Sequence, residues 1–449
     1  MMIRSDSMSK RYLLITLFFL VVTCTIGCSA TTEEVVEDPK PMESMEIELR
    51  FAWWGSEARH RALEEVIRLF EAEFPGVRII PEYSSWDGYG ANLLSALSAG
   101  VEADIVQVNY NWIHAFGKGN NVFYNLIDLN EYIELSSWEQ SYLDAMTTDD
   151  GQLAAVPWGM TGRVPLVNQS VFDAFDVPIP RTYLAAKDAA QIIAENNTQT
   201  EGENHFVFLN VGMESLDLFI GQMLLNHTGK VMQTGGIVNY TEDEVMEALA
   251  LFLDLEASGA TPNYYQDDVI QNEYNPDWLL GRAGMIFEWT SSMEKYIDVF
   301  GEESAQIVLG DFFRFHEEDT PTIYVKPSFG YAISRRTAHP EIAAQFIEFL
   351  FTNEQAVQAI NTQLGLSSNT RTLEFQQALG MLDGLMGEAI ALLDSYPQVV
   401  MDPFFEDHNV RAARYQAIDS LRIGAVDLRT AARMFIEGQQ NALDELFAP

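Results

Sequence analysis

The sequence predicts an α/β protein built on a parallel sheet with covering helices. Three observations carry this. Residues 47–53 alternate apolar with polar, residues 57–74 switch to a helical period, and a second strand, helix and strand follow by residue 108. Strands that alternate with helices in this way are the pattern of a parallel sheet.

Each element has its own signal. Ile47, Leu49, Phe51 and Trp53 alternate with Glu48, Arg50 and Ala52, the period of a strand. From Glu57, the residues Leu63, Val66, Ile67, Phe70 and Phe74 share one helical face, and Pro75-Gly76 ends it. Val77–Tyr83 reads as the second strand, Asn92–Ala99 as a short helix closed by Gly100, and Asp104–Val108 as the third strand. Asp150-Gly151 marks a turn before a strand over Leu153–Val156. Thr241-Glu-Asp-Glu244 is a capping box, with Val245, Leu249, Phe252 and Leu253 on the inner face. Pro340 opens another helix, and Val410–Phe447 reads as helical almost throughout.

Upstream of the first strand the chain is of another kind. Arg4, Lys10 and Arg11 precede the apolar run Tyr12–Val22, and small residues follow, which describes a secretory leader over 1–27. The run is too short for a comfortable membrane span. Thr25-Ile-Gly-Cys28 resembles the bacterial lipobox, in which the cysteine is diacylated, although Thr25 stands where Leu is usual. Cys28 is therefore the expected lipidation site, which places the protein outside the cytoplasm, anchored to the bacterial cell membrane by an N-terminal lipid. A plain secretory leader with an incidental Cys28 is the competing reading. Residues 28–45 are polar, acidic and broken by two prolines, and read as a flexible acidic tether.

Composition excludes several classes. The chain has 66 acidic and 26 basic residues, a net charge of −40, and without the leader the body holds 65 against 23, or −42. Such a surface repels nucleic acid, whose binding rests on Lys and Arg. Both of the 2 Cys lie in the leader region, so the body has no thiol chemistry. No two His have ligand spacing, no Gly-x-Ser-x-Gly elbow occurs, and Gly229-Lys230 lacks the rest of a phosphate loop. No metal and no cofactor are expected.

The aromatic residues are placed where a site would be. Ligands of open α/β sheets bind outside the carboxyl ends of the strands. Trp53-Trp54-Gly55 ends the first strand, Ser84-Ser85-Trp86 the second, and Asn109-Tyr110-Asn111-Trp112 the third. Trp53 continues the buried alternation and belongs to the core, whereas Trp54 points the other way and fits either cleft or core. An aromatic face can stack on a sugar ring while neighbouring polar groups bind its hydroxyls. Packing of the sheet rim would use the same residues.

With export signal, strand order and strand-end aromatics combined, the chain from Ile47 to its end resembles the family 1 extracellular solute-binding proteins of ABC sugar importers, the maltodextrin-binding-protein-like lipoproteins. The matching pieces run in order. They are the opening strand and helix with Phe74-Pro-Gly76, the stretch Leu94–Val106 with Ala103 in place of the usual proline, and Ala155-Val-Pro-Trp-Gly-Met-Thr-Gly162. Gly281-Arg-Ala-Gly-Met-Ile286 and Ser328-Phe-Gly-Tyr-Ala-Ile-Ser334 follow.

The resemblance implies a two-lobed periplasmic-binding-protein-like fold with a hinge and an interlobe cleft. Lobe 1 would span 46–156 and 331–370, and lobe 2 would span 157–330 and 371–449. Ligand-binding candidates carried over are Trp54, Trp86, Tyr110, Asn111 and Trp112 from the first lobe and Trp158 and Arg163 near the crossing. Glu214, Glu288, Trp289, Phe404 and Phe405 come from the second. The expected partners are a carbohydrate ligand and the permease subunits of an ABC transporter, with membrane contact through the lipid, no nucleic acid, and a monomeric chain. A receptor of this fold for a polyamine or other cation, and a secreted glycoside hydrolase with paired carboxylates, are the rival readings.

Overall fold

The computed structural model describes residues 47–117, 122–148, 150–196, 204–210, 212–263 and 270–447. The leader, Cys28 and the tether lie outside them. Met45–Pro449 forms one compact unit.

Strand β1, Ile47–Trp54, follows its alternation: Leu49, Phe51 and Trp53 are fully buried. Ser56 caps the next helix, Glu57–Glu73, its Oγ accepting from the Arg59 N–H at 3.3 Å. Leu63, Val66, Ile67 and Phe70 fill that helix's inner face. β2, Val77–Ser84, runs parallel to β1, and β3, Ile105–Val108, lies parallel on β1's other side. The helix between them, Tyr89–Ala99, starts three residues before the expected Asn92. Asn109–Trp112, read as a strand end, turns directly into a helix at Tyr110–Gly117.

The strand expected at Leu153–Val156 narrows to β4, Val156–Pro157, because Leu153 makes only a single bridge to Thr147. Then follow β5 (Met160–Asn168), the hairpin β6 and β7 (Gln233–Thr234, Ile237–Val238) and β8 (Met285–Trp289). The last strands are β9 (Ile307–Leu309), β10 (Ile323–Pro327), β11 (Gly330–Ile333) and β12 (Gln398–Val400). The first sheet has the order β2-β1-β3-β11-β4, and the second β12-β10-β5-β8 with β9 also on β5. Neither is wholly parallel. β11 returns antiparallel to β3 and β4, and β5 is antiparallel to β8, β9 and β10.

The two sheets are joined by an antiparallel ribbon. The Trp158 N–H donates to the Phe329 carbonyl at 2.8 Å and the Ser328 N–H to Gly159 at 2.7 Å, so the β4–β11 and β5–β10 ladders run on into each other. A third pass lies alongside, with the Ser368 N–H on the Trp158 carbonyl at 2.7 Å. On one side of the ribbon the core draws on residues from Leu49 to Trp158 and from Phe329 to Leu364. On the other, two clusters draw on Val164–Phe405 and on the C-terminal helices. The helix Thr370–Ala378 packs on Pro340–Thr352 and Glu354–Ile360, so the chain stays with the first core past residue 370.

The stretch Val410–Phe447, read as helical almost throughout, consists of two helices, His408–Arg422 and Leu428–Leu446, separated by a turn at Gly424. Both belong to the second lobe, and Leu428–Leu446 packs on the helix Glu242–Ala257, whose capping box Thr241/Glu244 forms as expected.

Candidate functional site

A cavity of about 370 Å³ opens along the ribbon and takes side chains from both sheets. Its first wall is aromatic. Trp54 closes β1 opposite in sense to Trp53, and Trp86 follows β2 with 40% of its surface exposed. Behind Trp86, Trp112 stacks at 5.5 Å and 11°, and Tyr89 stacks on Trp112 at 6.0 Å and 23°. Trp54 meets both indoles at steep angles, 5.2 Å from Trp86 and 5.5 Å from Trp112. The helix can carry this stack because residue 90 is glycine: a Cβ there would lie 2.7 Å from Trp112 Cζ2. Trp54 and Trp86 reach the cavity, and Trp112 supports them from behind.

The second wall is charged and comes from paired strands. β5 and β8 place Arg163 opposite Trp289 and Val164 opposite Glu288. Arg163 donates through Nε to the Phe287 carbonyl at 3.1 Å and through Nη2 to Ser215 Oγ at 3.0 Å. Burial lowers its basicity, partly offset by Glu288 and Glu214. Glu288 Oε1 accepts from the Trp289 N–H at 2.8 Å and Ser292 Oγ at 2.9 Å. Lys326 Nζ sits 4.3 Å above the Trp289 ring and is ion-paired to Glu406. Arg411 extends the chain of charges, 3.2 Å from Glu406 and 3.8 Å from Glu214. Glu214 itself, in the first turn of Met213–Thr228, lines the cavity.

Arg59 and Phe329 complete the site near the ribbon. Arg59 is 8% exposed, and its Nη2 donates to the Gln363 carbonyl at 2.8 Å and the Ser291 carbonyl at 3.1 Å. It lies 5.5 Å from the Phe329 ring centre. Burial brings its pKa down to about 10. Gly55 makes room for it, since a Cβ there would stand 2.4 Å from Arg59 Cδ. Arg59 and Lys326 were not among the expected site residues. Their signals are modest: a glycine just ahead of a helix that begins with Arg59 in its first turn, and a single cation in the apolar run Ile323-Tyr-Val-Lys-Pro327.

Six expected residues do not line the cavity: Trp112, stacked behind Trp86, and Tyr110, Asn111, Trp158, Phe404 and Phe405. Tyr110 is buried and its hydroxyl donates to the Met401 carbonyl at 2.6 Å, which ties the first sheet's side to the second. Asn111 is buried one residue further on. Trp158 is fully buried behind Phe329, its ring parallel at 6.4 Å and its Nε1 bound to the Gly365 carbonyl at 3.1 Å. Phe405 is packed in the second core, 5.6 Å from Tyr324, with the Arg414 guanidinium 4.6 Å from its ring. Phe404 turns toward Phe447 at 5.0 Å. Tyr110, Trp158 and Phe405 each bury a large ring in a core rather than in the cleft.

Among the described residues no group of acidic, His or Cys side chains is placed to hold a metal ion, and no helix is long and apolar enough to cross a membrane. The arrangement is a cavity between two sheets, one wall aromatic and the other charged, alongside the strands that join them. A structure of a periplasmic oligogalacturonide-binding protein from Yersinia enterocolitica with saturated digalacturonic acid shares this fold at TM-score 0.82. It is 21% identical over 89% of this chain and 100% of that one. A periplasmic solute-binding protein from Pectobacterium atrosepticum matches at TM-score 0.80 and 22% identity, over 89% and 99% of the two chains. The GacH receptor of Streptomyces glaucescens, described with acarbose, matches at 0.71 and 14%, over 89% and 98%. These likenesses show the two-lobed fold. Residues 65–374 match the model of the bacterial extracellular solute-binding proteins, and with the greater part of the chain inside that match, the chain belongs to this family.

Proposed function

We propose that the protein captures a sugar or oligosaccharide in the cavity between its lobes and delivers it to the permease of an ABC transporter. One observation carries this reading. An aromatic wall, Trp54 and Trp86, faces a wall of hydrogen-bonding charges, Arg163, Glu288 and Glu214, across a single cavity. A sugar offers an apolar ring face and a rim of hydroxyls, and needs both kinds of wall. The ribbon through Trp158 and Phe329 supplies the hinge. A ligand that touches both walls favours the closed arrangement, which then docks on the permease. The known ligands of similar folds, saturated digalacturonic acid and acarbose, point the same way. A lipid on Cys28 and the tether behind it would hold the receptor at the membrane that carries the permease. The polyamine reading loses ground to Arg59 and Arg163, two guanidinium groups in the cavity wall that would repel a polycation.

A thermal-shift screen over mono- and oligosaccharides tests the proposal, because a ligand of the folded state raises its melting temperature. Trp86→Ala and Trp289→Ala should each weaken the best hit about tenfold, or ~1.4 kcal/mol, with the fold kept. A panel in which no saccharide stabilises the protein and spermidine does would overturn it.

A further inference from the structure

We propose that the captured sugar carries a carboxylate, which the guanidinium groups of Arg59 and Arg163 receive; this rests on the sugar-receptor reading above. Both arginines line the one cavity, Arg59 from the helix after β1 and Arg163 from β5. Neither is paired with an acid among the described residues. Arg59 bonds only to the carbonyls of Gln363 and Ser291, through Nε and Nη2, so that Nη1 is the nitrogen left for a ligand. Arg163 bonds to the Phe287 and Ser215 carbonyls and to Ser215 Oγ. Every one of these acceptors is neutral.

Apart from Asp87, which is exposed to solvent, the other charges around the cavity have partners or are driven neutral. Lys326 is paired with Glu406, and Lys295 lies 3.2 Å from Glu273. Among the acids, Glu288 takes the Trp289 N–H, the Ser292 hydroxyl and a hydrogen bond from Tyr296. Glu214 stands near Arg411, and burial drives Glu294 toward its neutral form. The contrast is sharpest against the composition. The body has 65 acidic residues and only 23 basic ones, so an acid for each of these arginines was abundantly available.

A buried and a half-buried cation with neutral partners, Arg59 and Arg163, are costly, and desolvation accordingly lowers the basicity of both. A carboxylate arriving with the ligand supplies the missing charge, in hydrogen bonds about twice as strong as neutral ones. Arginine suits the task better than lysine because its planar donors match a planar acceptor. The aromatic wall then selects the ring and the arginines select its acid group, which together describe a uronic acid or its oligomer.

The test compares each acid with its own neutral twin. The protein is titrated calorimetrically with disaccharides of galacturonate, glucuronate and mannuronate, with the methyl ester of each, and with neutral disaccharides. At least one acid should bind tenfold or more tightly than its ester. Arg59→Met and Arg163→Met should each shrink that ratio, and Arg163→Lys should restore part of it. The wild-type acid-to-ester ratio needs no variant to fold. Equal binding of acid and ester, or binding of neutral sugars alone, overturns the carboxylate and leaves the sugar receptor standing. If no saccharide of either kind binds, both readings fall together.

Discussion

Glu406 offers the sharpest test of how the charged wall is held. Its side chain is 3% exposed and lies between Lys326 and Arg411, with Arg411 Nη2 at 3.2 Å. At an effective dielectric of about 20, one such contact is worth roughly 5 kcal/mol before desolvation. Desolvation of three charges takes back much of it, but removing Glu406 leaves Lys326 buried without a counter-charge and Arg411 with only Asp217 at 3.6 Å and Glu214 at 3.8 Å. Breaking a buried pair in this way costs about 3–5 kcal/mol. Glu406→Gln keeps the size and removes only the charge, so we expect a loss in that range, read by urea unfolding at about pH 7.

The pH dependence adds an independent reading. Burial alone would raise the Glu406 pKa, yet the charges of Lys326 and Arg411 outweigh it and hold the carboxyl below its ordinary value. A carboxyl depressed in the folded state contributes stability above its unfolded pKa and loses it as pH falls through the folded one. The parent should therefore shed this increment in acid, below the usual carboxylate range, and Glu406→Gln should lack that part of the slope. A variant that loses under about 1 kcal/mol, as an exposed pair would, refutes the argument. So does one whose acid slope matches the parent's.

Other outcomes follow from single contacts. Thr241→Ala removes the capping box of Glu242–Ala257 and should cost about 1 kcal/mol in denaturant unfolding. Gly90→Val drives a branched side chain into Trp112, at a cost of about 1–3 kcal/mol, and should shift tryptophan emission as the stack under Trp86 is displaced. Cys28→Ser should move the protein from the membrane to the soluble fraction without altering the sugar response; equal membrane retention would end the lipid assignment.

The first lobe was legible in the sequence because its elements carry their own periods. β1 alternates cleanly, the helix after it keeps one apolar face, and Pro75-Gly76 separates that helix from β2. The second sheet was less so. β9 and β12 span three residues each, too short for a period, and their pairing depends on segments far away in sequence. The site divides along the same line. Trp54, Trp86, Arg163, Glu214, Glu288 and Trp289 line the cavity as expected. Trp158 and Phe405 do not, since a strand-end or turn aromatic reads the same whether it faces a cleft or a core, and only packing decides. Arg59 was hidden for the opposite reason: a cation in the first turn of a helix looks like a solvated residue until Gly55 lets it fold inward.

The ribbon through Trp158 and Phe329 also sets a schedule for the chain as it is made. β1, β2 and β3 emerge early, but β11, which must lie between β3 and β4, is not synthesised until residue 333, after most of the second lobe. Phe346, Ile347 and Phe351 of the first core come later still. The first lobe thus stays open until much of the second has been made, and its closure waits on contacts between distant parts of the chain, the slow kind. Neither lobe can be cut out as a continuous fragment, and a nascent chain remains threadable for most of its length.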